Sequence, residues 1–215
     1  MKLVTGAGGF IGSNLVAALE ATGDEIAVCD WLDAPEKIKN LENRRIADRI
    51  PPDGLLEFMR DRAGEIETVF HMGAISSTTE TNIDLITEMN VTLPIQIWTW
   101  CRNHEVPLIY ASSAATYGDG ALGFDDDETV LALQQLQPLN LYGRSKNEFD
   151  IWVAEQVAAG VAVPPQWIGL KFFNVYGPNE YHKGGQMSVV PQIFEQISKT
   201  DCARLFQSHH PDYED

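Results

Sequence analysis

A tyrosine and a lysine four residues apart, Tyr142 and Lys146, lie in the segment LNLYGRSKNEF. On a helix this spacing puts a phenol and an ammonium on one face. A nearby ammonium stabilises phenolate and draws a tyrosine below its free pKa of about 10, so that it exchanges a proton with a substrate hydroxyl near neutral pH. The same spacing also describes an ordinary exposed helix pair, so its meaning depends on its surroundings. The run LIYASSAATYG ends in Ser112 and Ser113, and Ser113 can orient a substrate oxygen. Alcohol oxidation by hydride transfer needs a proton acceptor, an orienting hydroxyl and a cation. Tyr142, Ser113 and Lys146 supply those three, and the lysine can also hold a cofactor ribose.

A hydride needs a carrier, and the N-terminal VTGAGGFIGSN has the pattern of a phosphate cradle. Gly6, Gly9 and Gly12 serve in turn a tight turn, close backbone approach to a pyrophosphate and close helix–strand packing. The free N–H groups and the dipole of the helix they open face the anion, and Phe10 and Ile11, between the glycines, are expected cofactor contacts. Eighteen residues past Gly12 comes Asp30, followed by Trp31, at the end of the second predicted strand. A carboxylate there accepts ribose hydroxyls, which favours NAD. Beyond it Lys37, Lys39, Arg44, Arg45 and Arg49 cluster, and a positive patch is what a 2′-phosphate requires. The interleaved Glu36, Glu42 and Asp48 also allow a helix face of mixed charge. The expectation is NADP, with NAD the alternative and Lys37 the first phosphate contact.

These groups need a scaffold that brings strand ends together. Short apolar runs (KLVTG, EIAVCD, TVFHMGA, PLIYASSA, QWIGLKFF) alternate with helical patterns, notably SNLVAALEATG, residues 82–103 and residues 142–158. That alternation predicts βαβ units and a doubly wound α/β fold with a buried parallel sheet, whose ligands lie at the carboxyl ends of the strands. Residues 1–177 form the expected dinucleotide-binding domain. The texture then changes, and residues 178–215, with one helix over 187–199, read as the beginning of a smaller C-terminal substrate domain.

The chain has 215 residues, 44% of them hydrophobic, enough for one main core. Its formal charge of −16 opposes binding to nucleic acid or to anionic membrane surfaces. Cys29, Cys101 and Cys202 have no metal-ligand spacing and read as free thiols, so no metal site is expected. The N-terminus lacks a signal-peptide core, and no apolar run approaches the ~18 residues of a membrane span, so a cytoplasmic protein is expected. Trp98 and Trp100, two apart on a predicted helix, cannot both centre one buried face. One of them therefore packs at an edge of the monomer or at an interface.

The glycines, the strand-end serines and the Tyr-x-x-x-Lys pair together resemble the extended short-chain dehydrogenase/reductase family. The resemblance implies that Met72, Gly73, Ala74, Ile75 and Ser76 contact the cofactor and that Asn90 braces the site. Sugar dehydratases of the family carry an acid after the serine, where this chain has Ala114 and Ala115. Within the family, ASSAATYG, LNLYGRSK, FFNVYGPNEYHKG and ARLFQSHHPDYED are similar to the ADP-L-glycero-D-manno-heptose 6-epimerases. That likeness implies an isomerase acting on a nucleotide sugar, ADP-heptose, in lipopolysaccharide core synthesis, by transient oxidation at C6 and return of hydride to the opposite face. It assigns a second acid/base role to Lys183, which by its residue type alone could equally contact a diphosphate. It also assigns Val175 to the cofactor and Asn174, His182, Gln192, Leu205, Phe206, Gln207 and Ser208 to the substrate. Homo-oligomerisation and further substrate-domain sequence past Asp215 are implied as well, while Gly185 replaces the small polar residue of relatives.

Overall fold

In a computed structural model the described residues are 1–32 and 34–205. Six strands form one all-parallel sheet in the order β3-β2-β1-β4-β5-β6. They are β1 (Lys2–Thr5), β2 (Ile26–Cys29), β3 (Asp48–Ile50), β4 (Thr68–His71), β5 (Leu108–Ser113) and β6 (Trp167–Phe172). The order reverses between β1 and β4, and a switch point of this kind opens a crevice at the strands' carboxyl ends. The central strands are apolar enough to be buried on both faces: Leu3, Val4, Ala27 and Val28 have no exposed surface.

The helices are α1 (Phe10–Thr22), α2 (Pro35–Asn40), α3 (Leu55–Asp61), α4 (Ile83–Thr87), α5 (Leu93–Asn103), α6 (Val130–Gln135), α7 (Leu141–Ala158) and α8 (Val189–Thr200). One core cluster gathers Leu3, Met59, Ile97, Trp98, Leu108 and Phe149; a second, on the other side of the sheet, gathers Val4, Val16, Ile26, Val28 and Leu41. Trp98 is fully buried, edge-on to Trp152 and Trp167, whereas Trp100 is half-buried and stacks on His104 at 4.5 Å. Edge packing within the chain therefore accounts for the second tryptophan.

The sequence pattern for 82–103 resolves into α4 and α5 joined by a π-helical turn, Glu88–Thr92. Pro94 explains the turn. It has no N–H to donate back to the carbonyl of residue 90 and its ring would collide with that carbonyl, so the ladder widens by one residue. The turn points Asn90 inward with no exposed surface. β3 and α3 carry no clear sequence signal, being three and seven residues long. No helix among the described residues is long and apolar enough to cross a membrane.

Candidate active site

α7 presents the tyrosine–lysine pair. Its N-cap Asn140 accepts the Gly143 N–H at 2.8 Å, and Pro138 precedes it. A Cβ on Gly143 would stand 2.6 Å from the Ala115 carbonyl, so this glycine lets α7 press against the 3-10 turn Ala114–Tyr117 that follows β5. Tyr142 and Lys146 thereby face the end of β5. Lys146 is buried, and its Nζ donates to the Ala111 carbonyl at 2.8 Å. Burial lowers its pKa to about 8, with the Asp150 carboxylate opposing.

The tyrosine departs from expectation. Its pKa is raised, first by burial, with a hydrogen bond to Ser113 pulling it down and the Asp150 charge pushing it up. The ammonium expected to stabilise phenolate is turned to the Ala111 carbonyl instead. In the chain alone the phenol is the stable form.

The glycine cradle is as tight as its spacing implies. Gly6 has φ +64°, and a Cβ there would lie 2.6 Å from Gly73 backbone atoms; one on Gly12 would lie 2.1 Å from the Gly6 carbonyl. The α1 N-cap is Gly9, which brings no side-chain cap, so the first-turn N–H groups of Phe10 and Ile11 are left for an anion at the helix's positive end. Asp30 is buried. Its Oδ2 accepts the Gly8 N–H at 2.8 Å and its Oδ1 accepts Lys37 Nζ at 2.9 Å. Of the five clustered cations, only Lys37 lines the cleft. Arg44 and Arg45 are held by Glu20, Arg49 donates to the Leu41 carbonyl and Lys39 is exposed. The local positive patch is thus largely the mixed-charge surface.

Asn90 ties β4's exit loop to α7. Its Oδ1 accepts the Ile75 N–H at 2.8 Å, and its Nδ2 donates to the Ile75 carbonyl and to Ser145 Oγ, both at 3.0 Å. At the end of β4, Thr5 Oγ1 accepts the Gly73 N–H and pairs with His71 Nδ1 at 2.8 Å. His71 Nε2 has no partner among the described residues.

The loop after β6 is clamped across the mouth. Glu180, 2% exposed, accepts the Gly177 N–H and both the N–H and hydroxyl of Ser188. Asn14 donates to the Pro178 carbonyl, Asn40 to the Asn179 carbonyl and Asn179 to Ser13 Oγ. Lys183 Nζ consequently stands 5.3 Å from the Phe10 ring centroid. His182 carries a lowered pKa, first from burial and then from Lys37 and Lys183, and its Nδ1 is buried without a partner among the described residues.

The result is a cleft of about 990 Å³. Gly6, Gly9, Phe10, Ile11, Asp30, Trp31 and Lys37 line it together with Met72, Gly73, Ala74, Ser76, Ser113, Tyr142 and Lys146. Asn174, Val175, His182, Lys183 and Gln192, from β6's exit and beyond, line it too. Gly12, Ile75 and Asn90 do not line it: Gly12 is packed on Gly6, and Ile75 and Asn90 bond each other. Leu205 is exposed and also lies away from it. Phe206, Gln207 and Ser208 fall outside the described residues. Sequence reading did not single out Glu180, Asp150 or Lys171, since a lone charged residue carries no signal of burial. Among the described residues no cluster could hold a metal ion. Cys29 and Cys101 are buried thiols, each pushed up to about 12 chiefly by burial.

Chemically, the cleft joins an anion cradle to a phenol, an amine and a hydroxyl at the strand ends. Its likeness to known proteins agrees with that layout. ADP-L-glycero-D-manno-heptose-6-epimerases of Nitratidesulfovibrio vulgaris and Fusobacterium nucleatum are 45% and 43% identical over all of this chain, which covers 65% and 64% of them. The chain thus spans about two-thirds of the length of these relatives. The crystal structure of the Helicobacter pylori ADP-L-glycero-D-manno-heptose-6-epimerase superposes with a TM-score of 0.78 at 27% identity, over 96% of this chain and 65% of that one. The Thermus thermophilus UDP-glucose 4-epimerase in complex with NAD gives 0.66 at 27%, over 93% and 63%. With residues 2–212 matched by its model, the chain belongs to the NAD dependent epimerase/dehydratase family.

Proposed function

We propose that this protein is a nucleotide-sugar epimerase that inverts C6 of ADP-D-glycero-D-manno-heptose to give the L-glycero sugar, using NADP. The observation that carries the reading is the shared cleft: Ser113, Tyr142, Lys146 and Lys183 open onto the same space as the glycine cradle. The names of the 43–45% identical relatives support the choice of sugar. The cradle residues Gly6, Gly9, Phe10 and Ile11 would hold the dinucleotide's diphosphate and Asp30 its ribose. When bound, the nicotinamide supplies a reversible hydride acceptor. Lys37, at the mouth beside Asp30, supports NADP, because an ammonium already neutralising that carboxylate can also meet a 2′-phosphate.

In the proposed cycle Ser113 orients the C6 oxygen and Tyr142 exchanges its proton. Lys146 uses one N–H on Ala111, leaving others for the cofactor ribose and the phenol. Inversion presents the C6 oxygen in two orientations, and Lys183, which lines the same cleft, serves the second. Residues 178–205 act as the near wall of a substrate domain. Incubation of the full-length protein with ADP-D-glycero-D-manno-heptose, followed by NMR of C6 configuration, tests this. Inversion without net change in reduced nicotinamide is expected. Unaltered sugar in folded, dinucleotide-loaded protein defeats the reading, and net oxidation or reduction would point to a related dehydrogenase instead.

A further inference from the structure

Behind the cleft, outside the residues given roles above, lies a charged network. Asp150 follows Lys146 by one helical turn and Tyr142 by two, so the three share the face of α7 turned to β5. It is 7% exposed and its oxygens are filled from two strands: Oδ1 accepts from the Tyr110 hydroxyl at 3.3 Å, and Oδ2 accepts from Ser112 Oγ at 2.6 Å and Lys171 Nζ at 2.7 Å. The Lys171 ammonium donates also to Thr116 Oγ1 at 2.9 Å and lies 5.3 Å from the Tyr117 ring centroid. Thr116 in turn donates to the Ser113 carbonyl at 2.8 Å. Two hydrogen bonds therefore separate Lys171 from the backbone of Ser113.

We propose that Lys171 is a positioning residue: its ammonium neutralises the Asp150 carboxylate behind Tyr142 and Lys146, and through Thr116 and Ser112 it holds the end of β5 that carries Ser113. An ion pair this enclosed is strongly felt by its neighbours, and removing one partner leaves the other's charge uncompensated. Bare Asp150 would favour charge on Lys146 and oppose it on Tyr142. Bare Lys171 would do the reverse. The Asp150 carboxylate already acts on both groups in these directions. Other groups face the same region: His71 from β4 feels the Lys146 charge, while Asp126, Asp127 and Glu128 line a groove of about 590 Å³ together with Asp150 and Lys171. None of these is altered by the substitutions below.

The inference deepens the proposed function but is tested without turnover. Lysine side chains of the full chain, labelled at Cε, are titrated by NMR, and the Lys146 resonance is assigned from its loss in Lys146→Arg. In the parent chain Lys146 titrates near pH 8. Lys171→Met is expected to raise that midpoint by roughly one pH unit and Asp150→Asn to lower it by a similar amount, while Lys171→Arg leaves it in place. A purely structural role would loosen the site and move both variants towards a free lysine, upward. Equal direction in the two variants, or no movement in Asp150→Asn, overturns the proposal; the latter decides it even if Lys171→Met does not fold. A protein that shows the opposed shifts yet leaves the heptose unaltered would sink the epimerase reading alone.

Discussion

In the proposed function, Lys37 is the residue on which the choice between NADP and NAD turns. Its side chain is about one-quarter exposed and bridges to a nearly buried carboxylate, so its charge is both directed and accessible from the cleft beside Asp30. Replacing it with methionine removes a charge-assisted phosphate contact and leaves Asp30 uncompensated, which repels a 2′-phosphate more than a hydroxyl. Lys37→Met is expected to weaken NADP binding by roughly tenfold or more and NAD binding much less, as read by calorimetric titration of each dinucleotide. Equal losses would remove the basis for NADP. At this scale the sequence was informative about which residues line the cleft and poor about their ionisation. Residue type and spacing identify Tyr142 and Lys146, but the sign of the tyrosine's shift depends on burial and on where the ammonium points. The Ala111 carbonyl that takes Lys146 Nζ is a backbone group that any residue would supply. In the same way the cluster from Lys37 to Arg49 reads as one patch until Glu20, far earlier in sequence, claims two of its arginines.

At the scale of elements, the helix–turn–helix from Ile83 to Asn103 acts through one side chain. Asn90 satisfies both the N–H and the carbonyl of Ile75 and reaches Ser145, whose hydroxyl donates to the Tyr142 carbonyl. It thus links the loop after β4 to the turn of α7 that bears the tyrosine. Asn90→Leu keeps the branching at Cγ and removes all three bonds, leaving the partly buried N–H and carbonyl of Ile75 without their side-chain partner. A loss of about 2–4 kcal/mol in urea unfolding is expected, together with weaker dinucleotide binding, and a change below about 0.5 kcal/mol would show that the link is dispensable. The helical period over 82–103 was legible, whereas Asn90 as a brace was implied by the family resemblance. The π turn was not, because the pattern of apolar residues carries no record of one widened hydrogen bond; Pro94 was the available clue. β3 escaped for a related reason, since Asp48–Ile50 is three residues long and has only Ile50 buried.

For the whole molecule, pH acts through two opposed effects. The formal charge of −16 and the pI near 4.6 mean that mild acid relieves self-repulsion and favours the compact state. His71 works the other way. Burial pushes its pKa down to about 3, with the Lys146 charge adding to the effect. A depressed folded pKa means that the unfolded chain takes up the proton first, near pH 6.5, so stability falls as pH drops below that value and the loss is complete only near pH 3. Between pH 7 and pH 4 this one group removes roughly 3 kcal/mol, whereas repulsion is spread over a surface screened by salt. His71→Asn isolates the difference: its amide can still pair with the Thr5 hydroxyl, but it has no proton to gain. The variant starts less stable at pH 7 because it leaves space where Nε2 was, yet its stability should decline less towards pH 4 than the parent's, by that same ~3 kcal/mol. Denaturant unfolding of both proteins at matched ionic strength measures the gap. Parallel pH profiles would mean that the imidazole is reached by water and that its environment at the cleft is polar.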